Sequence, residues 1–137
     1  MSVTAVVEKH FGDYDVDDMG ILMVRWSNQA TSIIESGWWN PYTDGPEAST
    51  QLFGTRGYAR VFPTVAQFTS GDDPWLPRFP VRADHCEQPM YDRQMGEFIS
   101  AITENRDPTP GSKEGLTIMR ICEAAYRSSE NGETIKL

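Results

Sequence analysis

Histidine and cysteine are scarce in this sequence, and neither forms a recognisable catalytic or metal-binding pattern. The 137 residues include two histidines and two cysteines, whose spacing matches neither a zinc site nor a nucleophile motif. A run of 18 apolar residues is also missing, so no membrane-spanning helix is predicted. Because the first residues lack the basic and apolar regions of a secretory signal, we expect a cytoplasmic protein.

Positive charge is scarce as well. The chain has 12 lysines and arginines against 20 aspartates and glutamates, which gives a net charge of −8. Nucleic acids and anionic membranes would be repelled, so we expect neither as a partner. The hydrophobic content of 39% is ordinary for a globular protein. We therefore predict a single domain over residues 1–137 that needs no disulfide or metal to fold.

The glycine motif of a dinucleotide-binding fold is also absent. No Gly-x-Gly-x-x-Gly segment follows a predicted strand, and the glycines at 54 and 57 flank a tight turn with no helix after it. We therefore expect the chain to bind no cofactor by itself. No catalytic, cofactor-binding or metal-binding residue is assigned to it.

Two features of the sequence suggest a function but also have a plain structural explanation. Residues 12–18 include four aspartates, yet the glycine and distal glutamate of a calcium loop are not at the required positions. A structural turn is the favoured interpretation, and metal binding is the alternative. Cys122 falls at helical spacing from Ile118 and Ala125, which predicts a small buried side chain rather than a reactive thiol.

The last third of the chain predicts two amphipathic helices. The first should end near Asn105, because prolines follow closely. Ser112 is the predicted N-cap of the second helix, and Gly132 supplies a left-handed stop. Residues 133–137 leave room for one short closing strand. The apolar stripes consist of Met95, Phe98, Ile99 and Ile102 in the first helix, and of Ile118, Ile121, Cys122, Ala125 and Tyr126 in the second.

The first half of the chain predicts β-structure. Alternating and β-branched residues, separated by turn residues, indicate strands. The predicted strands cover residues 3–11, 20–27, 30–39, 50–55, 58–65 and 66–69. Strands followed by helices are typical of the α+β class. We therefore predict an open, mostly antiparallel β-sheet with two C-terminal helices packed on one face.

A group of polar and aromatic residues on the second and third strands and the loop after them forms the candidate site. Glu35 lies in mid-strand, where a buried carboxylate could act as an acid or base. Exposure, or a pair with Arg25 on the neighbouring strand, is the simpler interpretation. Trp38 and Trp39 face opposite ways, and aromatic rings on a sheet face suit the core, subunit packing or a sugar ring. The ligand or oligomer-face candidates are Arg25, Glu35, Trp38, Trp39 and Tyr42.

Several short motifs carry a family resemblance. They are Phe-Ile-x-Ala-Ile with a proline six residues later, Glu-Ala-Ala-Tyr-x-Ser-Ser, and Asn-Gly-x-x-Ile-x-Leu. With these motifs the chain resembles the C-terminal domain of the glucose–fructose oxidoreductase / inositol dehydrogenase / MocA family, without its nucleotide-binding domain. The matching residues are Phe98, Ile99, Ala101, Ile102, Pro108, Glu123, Ala124, Ala125, Tyr126, Ser128, Ser129, Asn131, Gly132, Ile135 and Leu137.

The resemblance implies two domains with different roles. NAD or NADP would bind in the nucleotide-binding domain, whose Glu-Lys-Pro motif is missing here, so no catalytic residue carries over. The C-terminal domain would help to hold a sugar or polyol in complete relatives, and its outer sheet face would form contacts between copies.

We therefore expect a domain that is non-catalytic on its own and forms a homo-oligomer. Its other expected partner is a separate or missing nucleotide-binding domain. The alternative is a small-ligand binding protein with a pocket between the sheet and the helices.

Overall fold

The computed structural model describes residues 1–10, 12–37, 50–61, 65–68 and 88–137. The strands are β1 (Ser2–Glu8), β2 (Met19–Arg25), β3 (Thr31–Gly37), β4 (Thr50–Gly54), β5 (Gly57–Val61), β6 (Val65–Phe68) and β7 (Ile135–Lys136), and the helices are α1 (Gln88–Thr103) and α2 (Ser112–Asn131). The chain divides into two compact units, one formed by residues 1–42 and 97–137 and the other by residues 43–96.

The first unit contains a four-stranded sheet with a helix on one face. Its strand order is β3-β2-β1-β7, and every neighbouring pair is antiparallel. On the inner face, Val3 and Val24 lie opposite each other and are fully buried. The helix α2 lies against β1 and β7, and its residues Ile121, Ala124 and Ala125 complete the core.

The row of α2 that packs on the sheet is made mostly of small side chains. It consists of Ile121, Ala124, Ala125 and Ser128, at the spacing of one helical face. Cys122 lies beside this row and is exposed, so the prediction that it is buried is wrong. Two helical stripes overlap in this sequence. The stripe with the smaller side chains packs, because it allows the closer approach of helix to sheet.

Both ends of α2 are fixed by glycines. Gly111 is the N-cap, one residue before the predicted Ser112. Its N–H donates to the Glu114 carboxylate at 2.8 Å, and this bond lowers the pKa of Glu114 from its usual value. At the other end Gly132 has φ of 68°, which confirms the predicted left-handed stop. Its N–H donates to the carbonyl of Ser128.

Two serines of α2 complete the hydrogen bonding of β1. The strand β7 pairs with β1 only at the first two residues of β1, so the backbone groups beyond them need other partners. The Ser128 hydroxyl accepts from the N–H of Ala5 at 3.0 Å and donates to the carbonyl of Glu133 at 2.6 Å. The Ser129 hydroxyl accepts from the N–H of Val7 at 2.9 Å. These hydrogen bonds hold the C-terminal end of α2 against β1.

The helix α1 forms at the predicted place, but its apolar stripe has little cover. Met95, Phe98, Ile99 and Ile102 are all more than half exposed, although the neighbouring Ala101 is buried. Helical spacing predicts the helix itself, but it does not identify what the stripe packs against. We expected this stripe to lie on the sheet beside α2, and the structure differs in this respect.

An ion-pair network joins α1 to the loop after it. The Arg106 guanidinium donates to Glu97 at 2.6 and 3.0 Å and to Glu104 at 2.6 Å. The N–H of Thr109 donates to the same Glu97 carboxylate at 3.1 Å. The hydrogen bond from Arg106, followed by that from Thr109, lowers the pKa of Glu97 to about 2.

The second unit contains a three-stranded antiparallel sheet with the order β4-β5-β6. Thr55 and Arg56 form the turn between β4 and β5. Phe53 and Tyr58 lie opposite each other across this hairpin, with ring centroids 5.2 Å apart. This separation falls in the range of favourable aromatic pairs.

The α+β class with antiparallel strands is confirmed. The described strands form two sheets where the sequence predicts one open sheet. The physical reason is that β4, β5 and β6 are joined by short connections, and successive antiparallel strands pair with one another locally. Alternation identifies strands, but it does not determine which strands share a sheet.

Candidate functional site

The outer face of the four-stranded sheet, which lies opposite α2, exposes a group of apolar side chains. Val6, Ile21, Met23 and Ile33 are 52%, 42%, 40% and 77% exposed. They are neighbours in the register, because Ile21 lies opposite Val6 and Met23 lies opposite Ile33. A contiguous apolar patch on a soluble protein indicates a contact surface. We call this surface, together with the polar residues on the same side of these strands, the outer face.

Two of the predicted site residues, Arg25 and Glu35, lie on the outer face. Arg25 is opposite Thr31 on β3, whereas Glu35 is opposite Ile21 on β2. Four residues of strand therefore separate them, or roughly 14 Å between Cα atoms. The structure brings the two residues to one face without pairing them. Both are exposed, so the burial that would support an acid–base role for Glu35 is absent.

The three aromatic candidates, Trp38, Trp39 and Tyr42, lie outside the described residues. Their assignment to a ligand site or oligomer face therefore stays a prediction. The strand β3 ends at Gly37, so the described part of the chain leads directly to them.

A cavity of about 390 Å³ lies between the sheet and α2. The hydroxyl of Tyr126 donates to the Asp17 carboxylate at 2.7 Å at its rim, and this hydrogen bond raises the pKa of Tyr126. The cavity is lined by Val7, Val16, Asp17, Asp18, Met19, Gly20, Leu22, Ser36, Gly37, Cys122, Ala125 and Tyr126.

The acidic segment before β2 shapes the edge of this cavity. Asp18 is 4% exposed, and its carboxylate accepts from the N–H of His10 at 2.9 Å and from the hydroxyl of Tyr14 at 3.0 Å. A Cβ at Gly12 would overlap the ring of Tyr14, so a larger residue here would displace that ring from its hydrogen bond with Asp18. The segment is a turn built around one buried carboxylate, which is the favoured interpretation of its aspartates.

The described ranges contain no group of three or more His, Cys, Asp or Glu side chains placed to hold a metal ion. Neither described helix has the length and hydropathy needed to cross a bilayer.

The sequence and fold can be compared with those of known proteins. The family described as "Oxidoreductase family, C-terminal alpha/beta domain" matches residues 1–137. Among curated protein sequences, none matches the chain significantly.

Solved structures of oxidoreductases share this fold. A levoglucosan dehydrogenase in complex with NADH and L-sorbose is 18% identical, with a TM-score of 0.80 over 98% of this chain and 43% of that one. An oxidoreductase from Agrobacterium radiobacter in complex with NAD+, L-tartaric acid and magnesium is 17% identical, with a TM-score of 0.76 over 98% and 42%. An aldose-aldose oxidoreductase from Caulobacter crescentus complexed with glycerol is 23% identical, with a TM-score of 0.71 over 99% and 41%. The chain thus spans less than half the length of these structures.

Proposed function

The chain belongs to the oxidoreductase family defined by this C-terminal alpha/beta domain, and from that membership we propose that it is a non-catalytic domain that self-associates through its outer face. The observation that carries the proposal is the exposed patch of Val6, Ile21, Met23 and Ile33. An isolated apolar side chain on a surface is ordinary. Four neighbours on one sheet face are not, because their combined contact with water is unfavourable.

The energetics of the patch favour a second copy as the occupant. Complete burial of an Ile, Val or Met side chain contributes about 1.5–3 kcal/mol. Since these four are roughly half exposed, covering them contributes about 1 kcal/mol each. Eight such side chains meet in a symmetric dimer, against an association cost of about 4–15 kcal/mol. We therefore expect reversible rather than permanent association.

The remaining parts of the proposal concern the complete assembly. We propose that this domain contributes to the binding of a sugar or polyol when a nucleotide-binding domain, on the same or another chain, holds NAD or NADP. The levoglucosan dehydrogenase that shares this fold contains NADH and L-sorbose, which supports this choice of substrate and cofactor. The free thiol of Cys122 is compatible with a reducing, cytoplasmic location.

The test of self-association is sedimentation velocity over a wide range of protein concentration. We expect the wild-type chain to form dimers, and Ile33→Glu to shift the equilibrium to monomer because it places a charge in the patch. Met119→Glu is the matched control, since Met119 is 66% exposed on α2, away from the sheet. A wild-type chain that stays monomeric, or an equal effect of both substitutions, would refute the proposal.

A second candidate function is small-ligand binding in the 390 Å³ cavity. Its volume lies within the range of ligand pockets, and Asp17 and Tyr126 supply polar groups beside an apolar lining. Cys122 provides a direct probe because it is a lining residue with a free thiol. With the second cysteine of the chain replaced (Cys86→Ser), a bound sugar or polyol should slow alkylation of Cys122. An unchanged alkylation rate with every compound in such a panel argues against this candidate.

A further inference from the structure

The outer face carries two cations and two carboxylates whose positions follow from the strand register. Arg25 on β2 and Lys136 on β7 both lie opposite Ser2, in one row across the sheet. Glu35 lies four residues further along the strands than Arg25, and Glu8 lies six residues beyond Ser2. All four charged side chains are exposed. Among the described residues, none of them has an ion-pair partner.

The two oppositely charged pairs are offset in the same sense. Glu35 lies one strand nearer the β3 edge than Arg25, and Glu8 lies one strand nearer that edge than Lys136. With strands about 4.8 Å apart and a rise of about 3.4 Å per residue, the Cα separations are roughly 14 Å and roughly 21 Å. The two offsets are nearly parallel. A single two-fold axis lying in the face therefore exchanges the members of both pairs.

We propose that two copies of this chain pack outer face against outer face about this axis, so that Arg25 of each copy meets Glu35 of the other and Lys136 of each meets Glu8 of the other. This inference rests on the proposed self-association and adds the register of the dimer. A two-fold interface requires such reciprocal contacts, because each residue pair occurs twice.

The same axis also places the apolar patch at the centre. The axis passes between Met23 and Ile33, which lie opposite each other on neighbouring strands. Ile33 is 77% exposed. In the dimer, Met23 of one copy then packs near Met23 of the other, and Ile33 packs near Ile33. The strands of the two sheets cross at roughly 40° about this axis on an ideal lattice. Aligned sheet packings cross at about 30°, so the crossing angle that follows from the charge pattern is similar in magnitude.

The size of the face predicts a weak dimer. Three strands of seven residues and one strand of two cover roughly 380 Å² per copy, which is about 750 Å² over two copies. This area lies below the usual range for specific interfaces. Each copy also has a net charge of −8, so the copies repel at long range. The ion pairs oppose this repulsion locally, and we expect them to decide the register rather than most of the affinity.

Charge reversal tests the pairing, with sedimentation equilibrium as the measurement. Glu35→Arg changes the net charge from −8 to −6, which alone would strengthen association. The proposed pairing predicts the opposite, a dimer that is about 10-fold weaker. The reason is that Arg25 of each copy then faces the new arginine of the other copy, so the repulsive contact occurs twice. Glu130→Arg on the exposed side of α2 is the control, since it makes the same charge change away from the outer face. Circular dichroism verifies that each variant is folded.

The reciprocal exchange completes the test. Arg25→Glu combined with Glu35→Arg restores the net charge and should return the dissociation constant to within about three-fold of wild type. Glu8→Lys with Lys136→Glu should do the same. The pairing is overturned if Glu35→Arg strengthens the dimer as Glu130→Arg does, or if the double variants stay as weak as the single ones. A wild-type monomer, or a dimer insensitive to Ile33→Glu, would instead overturn the proposed function itself.

Discussion

Replacing Ser128 by alanine tests the link between α2 and β1. Ser128 is 1% exposed, and its hydroxyl accepts from the N–H of Ala5 and donates to the carbonyl of Glu133. Ser128→Ala leaves both of these backbone groups without that partner. Each lost hydrogen bond costs about 1–1.5 kcal/mol, so the free energy of unfolding should fall by about 2–3 kcal/mol. For a chain of this size the Tm should decrease by about 6–10 °C.

The assay is thermal and urea unfolding followed by far-UV circular dichroism. Thr117→Ala is the control, because it removes a hydroxyl that bonds only the carbonyl of Lys113 within α2 itself. We expect that variant to lie within about 0.5 kcal/mol of wild type. Hydrogen exchange gives a local readout, and the amide of Ala5 should exchange faster in Ser128→Ala. Equal stability of the two variants would refute the reasoning.

Three further predictions follow from the acidic turn and the ion pairs. Gly12→Ala should destabilise the protein by about 1–3 kcal/mol in urea unfolding, because its methyl group overlaps an aromatic ring. The Glu97 carboxyl should titrate near pH 2 by NMR, and Arg106→Gln should return it toward 4.5. Since this pKa is depressed by folding, the stabilisation is complete above 4.5 and is lost as the pH falls toward 2. Asp17→Asn should lower the pKa of Tyr126 toward 10.0 in an ultraviolet titration.

Local signals in the sequence are sufficient for the elements of the first unit. Alternation places Leu22 and Val24 on the face opposite Ile21 and Met23, and the burial of Val24 confirms it. Gly132 ends α2 as predicted, because a left-handed residue is a local requirement. Such features depend on neighbouring residues, whose geometry the sequence specifies directly.

Features that depend on distant residues were missed or misassigned. Ser128 and Ser129 belong to a motif visible in the sequence, but their partners on β1 lie more than 120 residues away. The packed row of α2 competes with a second stripe through Cys122, and only the approach of the sheet selects between them. Arg25 and Glu35 are a further example. Alternation places both side chains on one face of the sheet, but only the register between β2 and β3 shows that they are four residues apart along the strands.

The strand β3 connects these observations to the proposed assembly. Ile33 on its outer face is 77% exposed and Ile34 on its inner face is 41% exposed. In the described residues β3 pairs with β2 alone, so it is an edge strand with one exposed isoleucine on each face. Strands with apolar residues on both sides are typical of sheets covered on both faces, and an exposed apolar edge favours uncontrolled association. We therefore expect β3 to be covered twice in the working protein, by a second copy on the outer face and by another domain on the inner face. Hydrogen exchange of the Ile33 and Ile34 amides should then slow in two separate steps, first on dimerisation and again when a nucleotide-binding domain is supplied. If exchange slows in only one of the two steps, the proposed partner of the other face is contradicted.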